Sequence, residues 1–225
     1  GIYNKDDFSL GHCLHSIVGR VKQPLIDKEI FVSNCEIYNW KELNDKYEFK
    51  AKNDSELLFK LLQKKGVNEN TLDELDGVYA FAYLSKNKLF IARDIIGIKP
   101  VWYSHANGFY FASEKKALEK LGVININELN PRKILEYDLK KDELRFIERK
   151  FFTIKPEIKD SLEKIKDRVG DLLLKAVEKR IPNRKFGILF SGGIDSTFLA
   201  YTMKKLGFKF TCYTAALDEP NFKEP

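Results

Sequence analysis

A continuous apolar run, Phe186–Phe190 (FGILF), leads into the Gly-rich turn Ser191–Gly192–Gly193–Ile194–Asp195–Ser196. Thr197–Leu206 then reads as a helix and Lys209–Ala215 as a second strand. No other feature narrows the fold so far. A strand fit to be buried on both faces, a tight turn, and a helix returning to a parallel strand make one βαβ unit, the opening of a doubly wound α/β domain. Gly192 and Gly193 reach backbone angles closed to other residues and let a ligand approach the main chain. The free N–H groups at the helix start, reinforced by the helix dipole, face an anion there. Ser191 and Ser196 add hydroxyl donors, while Asp195 adds a negative charge that a plain phosphate cradle would not choose. Asp195 is therefore expected to cap the helix and shape the loop. No lysine follows the glycines, so the turn is not a GxxxxGKS/T phosphate loop.

Upstream the grammar differs. Residues 1–150 alternate short β-type runs with turns, in the manner of an α+β domain. Lys28–Ser33 reads as a strand and Trp40–Tyr47 as a polar helix. Asp54–Lys65 sets Leu57, Leu58, Leu61 and Leu62 on one face, an amphipathic helix capped by Asn53 or Asp54. Gly77–Leu84 and Lys88–Ala92 flank Ser85–Lys86–Asn87 as a hairpin. Gly108–Ala112 reads as a strand, Ser113–Leu121 as a short helix, and Ile134–Leu139 with Leu144–Ile147 as a last hairpin. Arg93–Asp94 has the look of a structural ion-pair corner, and Phe81, Trp102 and Tyr103 of core residues. Arg149–Asp160 holds Pro156, mixed charge and no period, so a linker is placed at residues 151–160. Ser161–Arg180 returns to helical spacing, with Ser161 as its cap, and opens a second domain at 161–225.

Composition removes several classes of function. Hydrophobic residues at 44% and charged residues at 32% supply a packed core and argue against disorder. The net charge of +6 invites a nucleic-acid reading, but the lysines are scattered through acidic stretches such as Lys140–Lys141–Asp142–Glu143. That is a solvated surface, and nucleic acid is not expected as a partner. No apolar run spans a bilayer, so no membrane partner is expected either. Cys13, Cys35 and Cys212 fit a reducing cytoplasm better than a disulfide framework. His12 and His15 flank Cys13, yet no second ligand pair is visible, and no metal ligands are assigned within the chain. The chain opens on Gly1 and stops at Lys223–Glu224–Pro225, and it reads as an excerpt of a longer polypeptide.

Several motifs in fixed order carry a family resemblance. Asn34–Cys35–Glu36–Ile37–Tyr38–Asn39 resembles the NGEIYN segment of class II glutamine amidotransferases. Arg93–Asp94 with Gly97 and Lys99–Pro100 resembles their RDxxGxKP run, and Phe111–Ala112–Ser113–Glu114 their FASE. Gln23–Pro24–Leu25, Leu75–Asp76–Gly77 and Phe81–Ala82 also fit. Ser191–Ser196 resembles the pyrophosphate loop of N-type ATP pyrophosphatases. In this order the motifs resemble glutamine-hydrolysing asparagine synthetase over nearly the whole chain.

The resemblance implies an Ntn-hydrolase αββα glutaminase domain followed by the first βαβ unit of an adenine-nucleotide α-hydrolase-like domain. It implies channelled chemistry. The first domain frees ammonia from glutamine, and the second adenylates the aspartate side-chain carboxylate, which ammonia converts to asparagine with release of AMP and pyrophosphate. Asn34 is then implied to donate to the oxyanion, and Asn34, Cys35, Glu36 and Asp54 to hold glutamine, Asp54 by its α-ammonium. Leu189, Phe190, Ser191, Gly192, Gly193, Ile194, Asp195, Ser196 and Ala215 are implied to bind ATP. Magnesium would be held by residues beyond Pro225, so the chain alone is not expected to make amide bonds. A homodimer is allowed and not decided by the sequence.

Three departures stand out. The nucleophilic N-terminal cysteine of the family is absent, and neither Cys13 nor Cys35 replaces it. Leu14 stands where the family has a carboxylate-binding arginine, and Cys35 where it has glycine. They leave open an ammonia-dependent synthetase with a weakened glutaminase, a relative that acts on another carboxylate, and a non-catalytic scaffold.

Overall fold

The computed structural model describes residues 1–5, 8–15, 18–152 and 158–215. The chain divides into two compact units, Gly1–Ile154 and Lys155–Pro225. Residues 153–157, half of the expected linker, lie outside the described residues.

The first unit runs β1 (Ile2–Lys5), β2 (Phe8–Gly11), β3 (Leu25–Ile26), β4 (Ile30–Ile37), α1 (Trp40–Tyr47), α2 (Asp54–Lys65) and α3 (Glu69–Leu72). It continues through β5 (Gly77–Ser85), β6 (Lys88–Arg93), β7 (Trp102–His105), β8 (Phe109–Ala112), α4 (Lys115–Lys120), β9 (Asn127–Glu128), β10 (Lys133–Asp138) and β11 (Glu143–Glu148). One six-stranded sheet, ordered β11-β10-β6-β5-β4-β3, forms its centre, with smaller sheets β1-β2 and β8-β7-β9. All pairings in these sheets are antiparallel.

Strand β5 explains the layering. Its interior residues are all buried, so both faces of the central sheet are covered. With a period of two, Tyr79, Phe81 and Tyr83 join the core shared with Leu57, Leu58, Leu61 and Leu62 of α2. Ala80, Ala82 and Leu84 face the opposite core, with Leu10, Val101 and Leu129, against the small sheets. The α2 leucines each contribute about 1.5–3 kcal/mol by leaving water. Phe31 stacks on Phe59 at 5.5 Å and meets Phe81 at 5.9 Å, which ties β4, β5 and α2 together.

Helix α2 matches the expected span, and Asn53 is its cap, accepting from the Glu56 amide at 2.9 Å. Asp54 is therefore released from capping. Strand β4 runs on to Ile37, past the expected end at Ser33, because Asn34 to Ile37 pair in register with Ala80 to Gly77. The Arg93–Asp94 corner is structural but is not an ion pair. Asp94 instead accepts amides of Gly97 at 2.8 Å, Ile98 at 2.9 Å and Lys99 at 3.0 Å. Arg93 turns the other way, donating to the carbonyls of Lys99, Gly97 and Leu129 and to the Glu128 carboxylate.

The second unit holds α5 (Leu162–Glu178), β12 (Gly187–Leu189), α6 (Ile194–Lys205) and β13 (Thr211–Tyr213). Ser161 caps α5, accepting from the Lys164 amide at 3.4 Å. β12 and β13 pair in parallel around α6, the βαβ order expected from the sequence. The expectation of a strand buried on both faces fails, since Leu189 is 85% exposed. Among the described residues β12 has one partner strand, and too few elements surround it to cover both faces. No helix among the described residues is long and apolar enough to cross a membrane.

Candidate functional site

The strand–helix junction of the first unit gathers the residues singled out around Asn34. Asn34, Cys35 and Glu36 lie on β4, and Asp54 begins α2 beside them. Asp54 is 3% exposed. One of its oxygens accepts the Ile37 amide at 3.2 Å and the other the Ser55 amide at 2.9 Å. Burial pushes its pKa up to about 6 against those hydrogen bonds, and the charge of Glu36 adds to the rise. Asn34 is exposed and its side chain makes no hydrogen bond with the other described residues, leaving an amide donor free. Glu36 receives the Lys99 ammonium at 3.3 Å.

Cys35 takes a different part. Its Sγ lies 3.3 Å from the Ser55 hydroxyl and 3.5 Å from that of Ser33. Burial, seconded by the Asp54 charge, pushes the thiol up to about 12, so at neutral pH it is a protonated thiol and a poor nucleophile. A buried network behind it escaped the sequence reading. Gln23 donates to the Ser33 carbonyl at 3.1 Å and to the Ser55 hydroxyl at 3.3 Å, and accepts the Ser33 amide at 2.6 Å. His12 Nε2 meets that same carbonyl at 2.9 Å, and burial holds the imidazole below its ordinary pKa. The position of Gln23 in the Gln23–Pro24–Leu25 match was the available signal; its partners, 10 and 32 residues away, were not.

The raised pKa of Asp54 fixes a sign. Between its ordinary value of 3.8 and about 6, the folded protein holds a proton that the unfolded chain has released. Stability is thus expected to fall as pH rises through that window, by up to about 3 kcal/mol from this group. Urea titrations of the wild type and Asp54→Asn across the window check it: the wild type should lose stability relative to the variant as pH rises. An opposite or flat difference contradicts the burial argument.

In the second unit the turn Ser191–Gly193 joins β12 to α6. Gly192 sits at φ +78 with open space where a Cβ would go. Gly193 is the N-cap residue, and no side chain caps the helix. The first-turn amides therefore remain available to an anion. Helix α6 begins at Ile194 rather than at Thr197, so Asp195 lies inside the first turn and is not the cap. There its charge complements the helix dipole. Ser196 donates to the Gly193 carbonyl at 3.0 Å and lies 3.3 Å from the Ser191 hydroxyl, which pins the turn. Phe190 donates its amide to the Tyr213 carbonyl at 2.8 Å, and Thr214 its hydroxyl to Phe190. Leu189 and Ala215 flank the turn at the ends of β12 and β13, both exposed.

Two clusters of different character thus lie on one chain: an acidic strand–helix junction on the antiparallel unit, and a glycine-rich turn before an uncapped helix start on a parallel βαβ unit. Comparison with known proteins gives each a class. Residues 1–157 match the glutamine amidotransferase domain family, and residues 168–225 the asparagine synthase family. The chain belongs to the glutamine amidotransferases, and its two matched domains stand in the order of the glutamine-hydrolysing asparagine synthetases.

A Methanocaldococcus jannaschii sequence that carries a glutamine-hydrolysing asparagine synthetase name is 36% identical over 86% of this chain and 40% of its own length. Asparagine synthetase B of Escherichia coli is 31% identical over 91% of this chain and 38% of its own length. The chain spans about two fifths of the length of these curated relatives. A glutamine phosphoribosylpyrophosphate amidotransferase from B. subtilis, solved with ADP and GMP, superposes with a TM-score of 0.52 at 17% identity. That match covers 90% of this chain and 51% of the other, and bears on the fold alone.

Proposed function

We propose that the full-length protein makes asparagine from aspartate, with ammonia taken from glutamine by the first unit and ATP consumed by the second. The observation that carries this is the pairing, on one chain, of a buried carboxylate beside an exposed amide with a capless helix start behind Gly192–Gly193. In the first unit, Asp54 and Glu36 offer negative charge to the α-ammonium of glutamine, and the Asn34 amide donates to the oxyanion that forms as the carboxamide is attacked. Cys35 is not the nucleophile; its thiol lies between the Ser33 and Ser55 hydroxyls.

In the second unit, whose reading as an adenine-nucleotide α-hydrolase-like domain rests on the βαβ order and the turn, Ser191–Ser196 hold pyrophosphate. Leu189, Phe190 and Ala215 sit beside the nucleotide. A carboxylate is a poor electrophile until its oxygen can leave. Adenylation of aspartate supplies that leaving group, pyrophosphate departs, and ammonia then displaces AMP. Magnesium would offset phosphate charge during this step. Among the described residues no group of three candidate metal ligands gathers.

Aspartate-dependent exchange of pyrophosphate into ATP by the full-length protein tests the second half. Exchange with aspartate is expected, and Gly192→Ala should cut it at least about tenfold, since an L residue at φ +78 is strained and crowds the phosphate approach. Exchange with another carboxylic acid alone would move the acceptor, and exchange with none would leave only a scaffold.

A further inference from the structure

We infer that Lys99 is the receptor for the α-carboxylate of the amino-acid substrate in the first unit. The inference rests on the glutamine reading above and deepens it. An α-amino acid carries its ammonium and carboxylate on one carbon, so a pocket that accepts the first must also answer the second. The acidic side is present twice, as Glu36 and Asp54. A substrate carboxylate entering beside them is repelled unless a cation stands within reach.

Among the described residues, Lys99 is the one cation within ion-pair distance of either carboxylate, with Nζ 3.3 Å from Glu36 Oε1. Its side chain is 21% exposed and that of Glu36 30%, so the pair is partly open to solvent and can be reached by a ligand. An ammonium has three donors, and Glu36 occupies one. A zwitterion can therefore lie along the pair, its ammonium against Glu36 and Asp54 and its carboxylate on the remaining Lys99 donors.

The backbone of Lys99 is held from both ends: its amide donates to Asp94 at 3.0 Å and its carbonyl accepts Arg93 Nε at 2.7 Å. This clamp fixes the backbone from which the side chain extends, and the Glu36 contact directs the ammonium. Other nearby cations are committed elsewhere or make no contact here. Arg93 is 4% exposed and spends its guanidinium on carbonyls and Glu128. Leu14, 40% exposed, is uncharged. Arg20 is exposed and lies two residues past Val18, whose carbonyl accepts from Asn53 at 3.4 Å, which makes it the competitor to exclude.

The test compares hydrolysis of glutamine and of 4-aminobutanamide, which is glutamine without its α-carboxylate, by the full-length enzyme at about pH 8, above the pKa of Asp54. Lys99→Met is expected to raise KM for glutamine about 10- to 100-fold with kcat within about threefold. The loss on 4-aminobutanamide should be at least about tenfold smaller than the loss on glutamine, while a urea unfolding midpoint equal to the wild type's shows that the unit remains folded. Lys99→Arg should restore most of the loss. Three results overturn the inference while leaving the glutamine reading intact: an unchanged glutamine KM in Lys99→Met, an equal loss on both amides, or the selective loss appearing in Arg20→Met instead. A wild-type enzyme that releases no glutamate from glutamine overturns both.

Discussion

Gly77→Ala is expected to destabilise the first unit by about 3 kcal/mol and to weaken glutamine binding at least about tenfold, although residue 77 touches no ligand in the proposed site. The cause is a close approach of backbones. Gly77 pairs with Ile37 across β4 and β5. A Cβ there would lie 2.3 Å from the Glu36 carbonyl oxygen and 2.8 Å from the Ile37 Cα, and neither is a flexible side-chain end that could swing aside. Relief requires β4 to move away from β5. That displaces Glu36 from Lys99 and the Ile37 amide from Asp54, and both contacts belong to the proposed glutamine site. Urea unfolding of the full-length protein, read alongside the KM for glutamine, checks both halves. Wild-type stability in Gly77→Ala contradicts the tight contact.

The second large effect is expected at Arg93. Its guanidinium donates to the Lys99 carbonyl at 2.7 Å, the Leu129 carbonyl at 3.1 Å, the Gly97 carbonyl and Glu128 at 2.7 Å. Its own carbonyl accepts from the buried Arg149 at 2.8 Å. Arg93→Met fills the volume but removes the donor from the buried Leu129 carbonyl and from the part-buried Gly97 and Lys99 carbonyls, an expected loss of about 3 kcal/mol, since an unsatisfied buried group costs about 1–3 kcal/mol and the part-buried ones less. Arg93→Lys should recover little, because an ammonium cannot reproduce a planar fork that serves three directions. The same substitutions free the loop behind Lys99, so glutamine KM should rise more than kcat falls. Denaturation midpoints give the first readout and initial rates the second. A stable Arg93→Met with normal KM would mean that Asp94 alone organises the loop.

Much of the antiparallel unit was legible because its local signals agree with its packing. The four leucines of α2 place the helix and its buried face together. The alternation in Gly77–Leu84 gives a strand whose two faces serve two cores. Boundaries were set by pairing instead: Asn34–Ile37 belong to β4 because β5 extends opposite them, a fact of register and not of propensity. The Arg93–Asp94 corner looked like an ion pair because adjacent opposite charges suggest one, yet each side chain serves backbone groups several residues away or across the fold. A helix starting at Thr197 would make Asp195 its cap; the start at Ile194 makes it a first-turn residue.

The candidate pocket was legible only as a motif. Its residues could be named from Asn34–Glu36 and Asp54, while the features that give it chemistry depend on three-dimensional neighbours. Those are the deep burial of Asp54, the hydroxyl shell around Cys35, and Lys99 facing Glu36 across 63 residues.

The most direct test of the two-site account follows the nitrogen. The full-length protein, supplied with ATP, magnesium, aspartate and glutamine labelled with 15N at its amide, should yield labelled asparagine and glutamate, with one AMP and one pyrophosphate for each asparagine. Formation of ADP in place of AMP, or glutamate release with no label entering an aspartate-derived amide, would contradict the account.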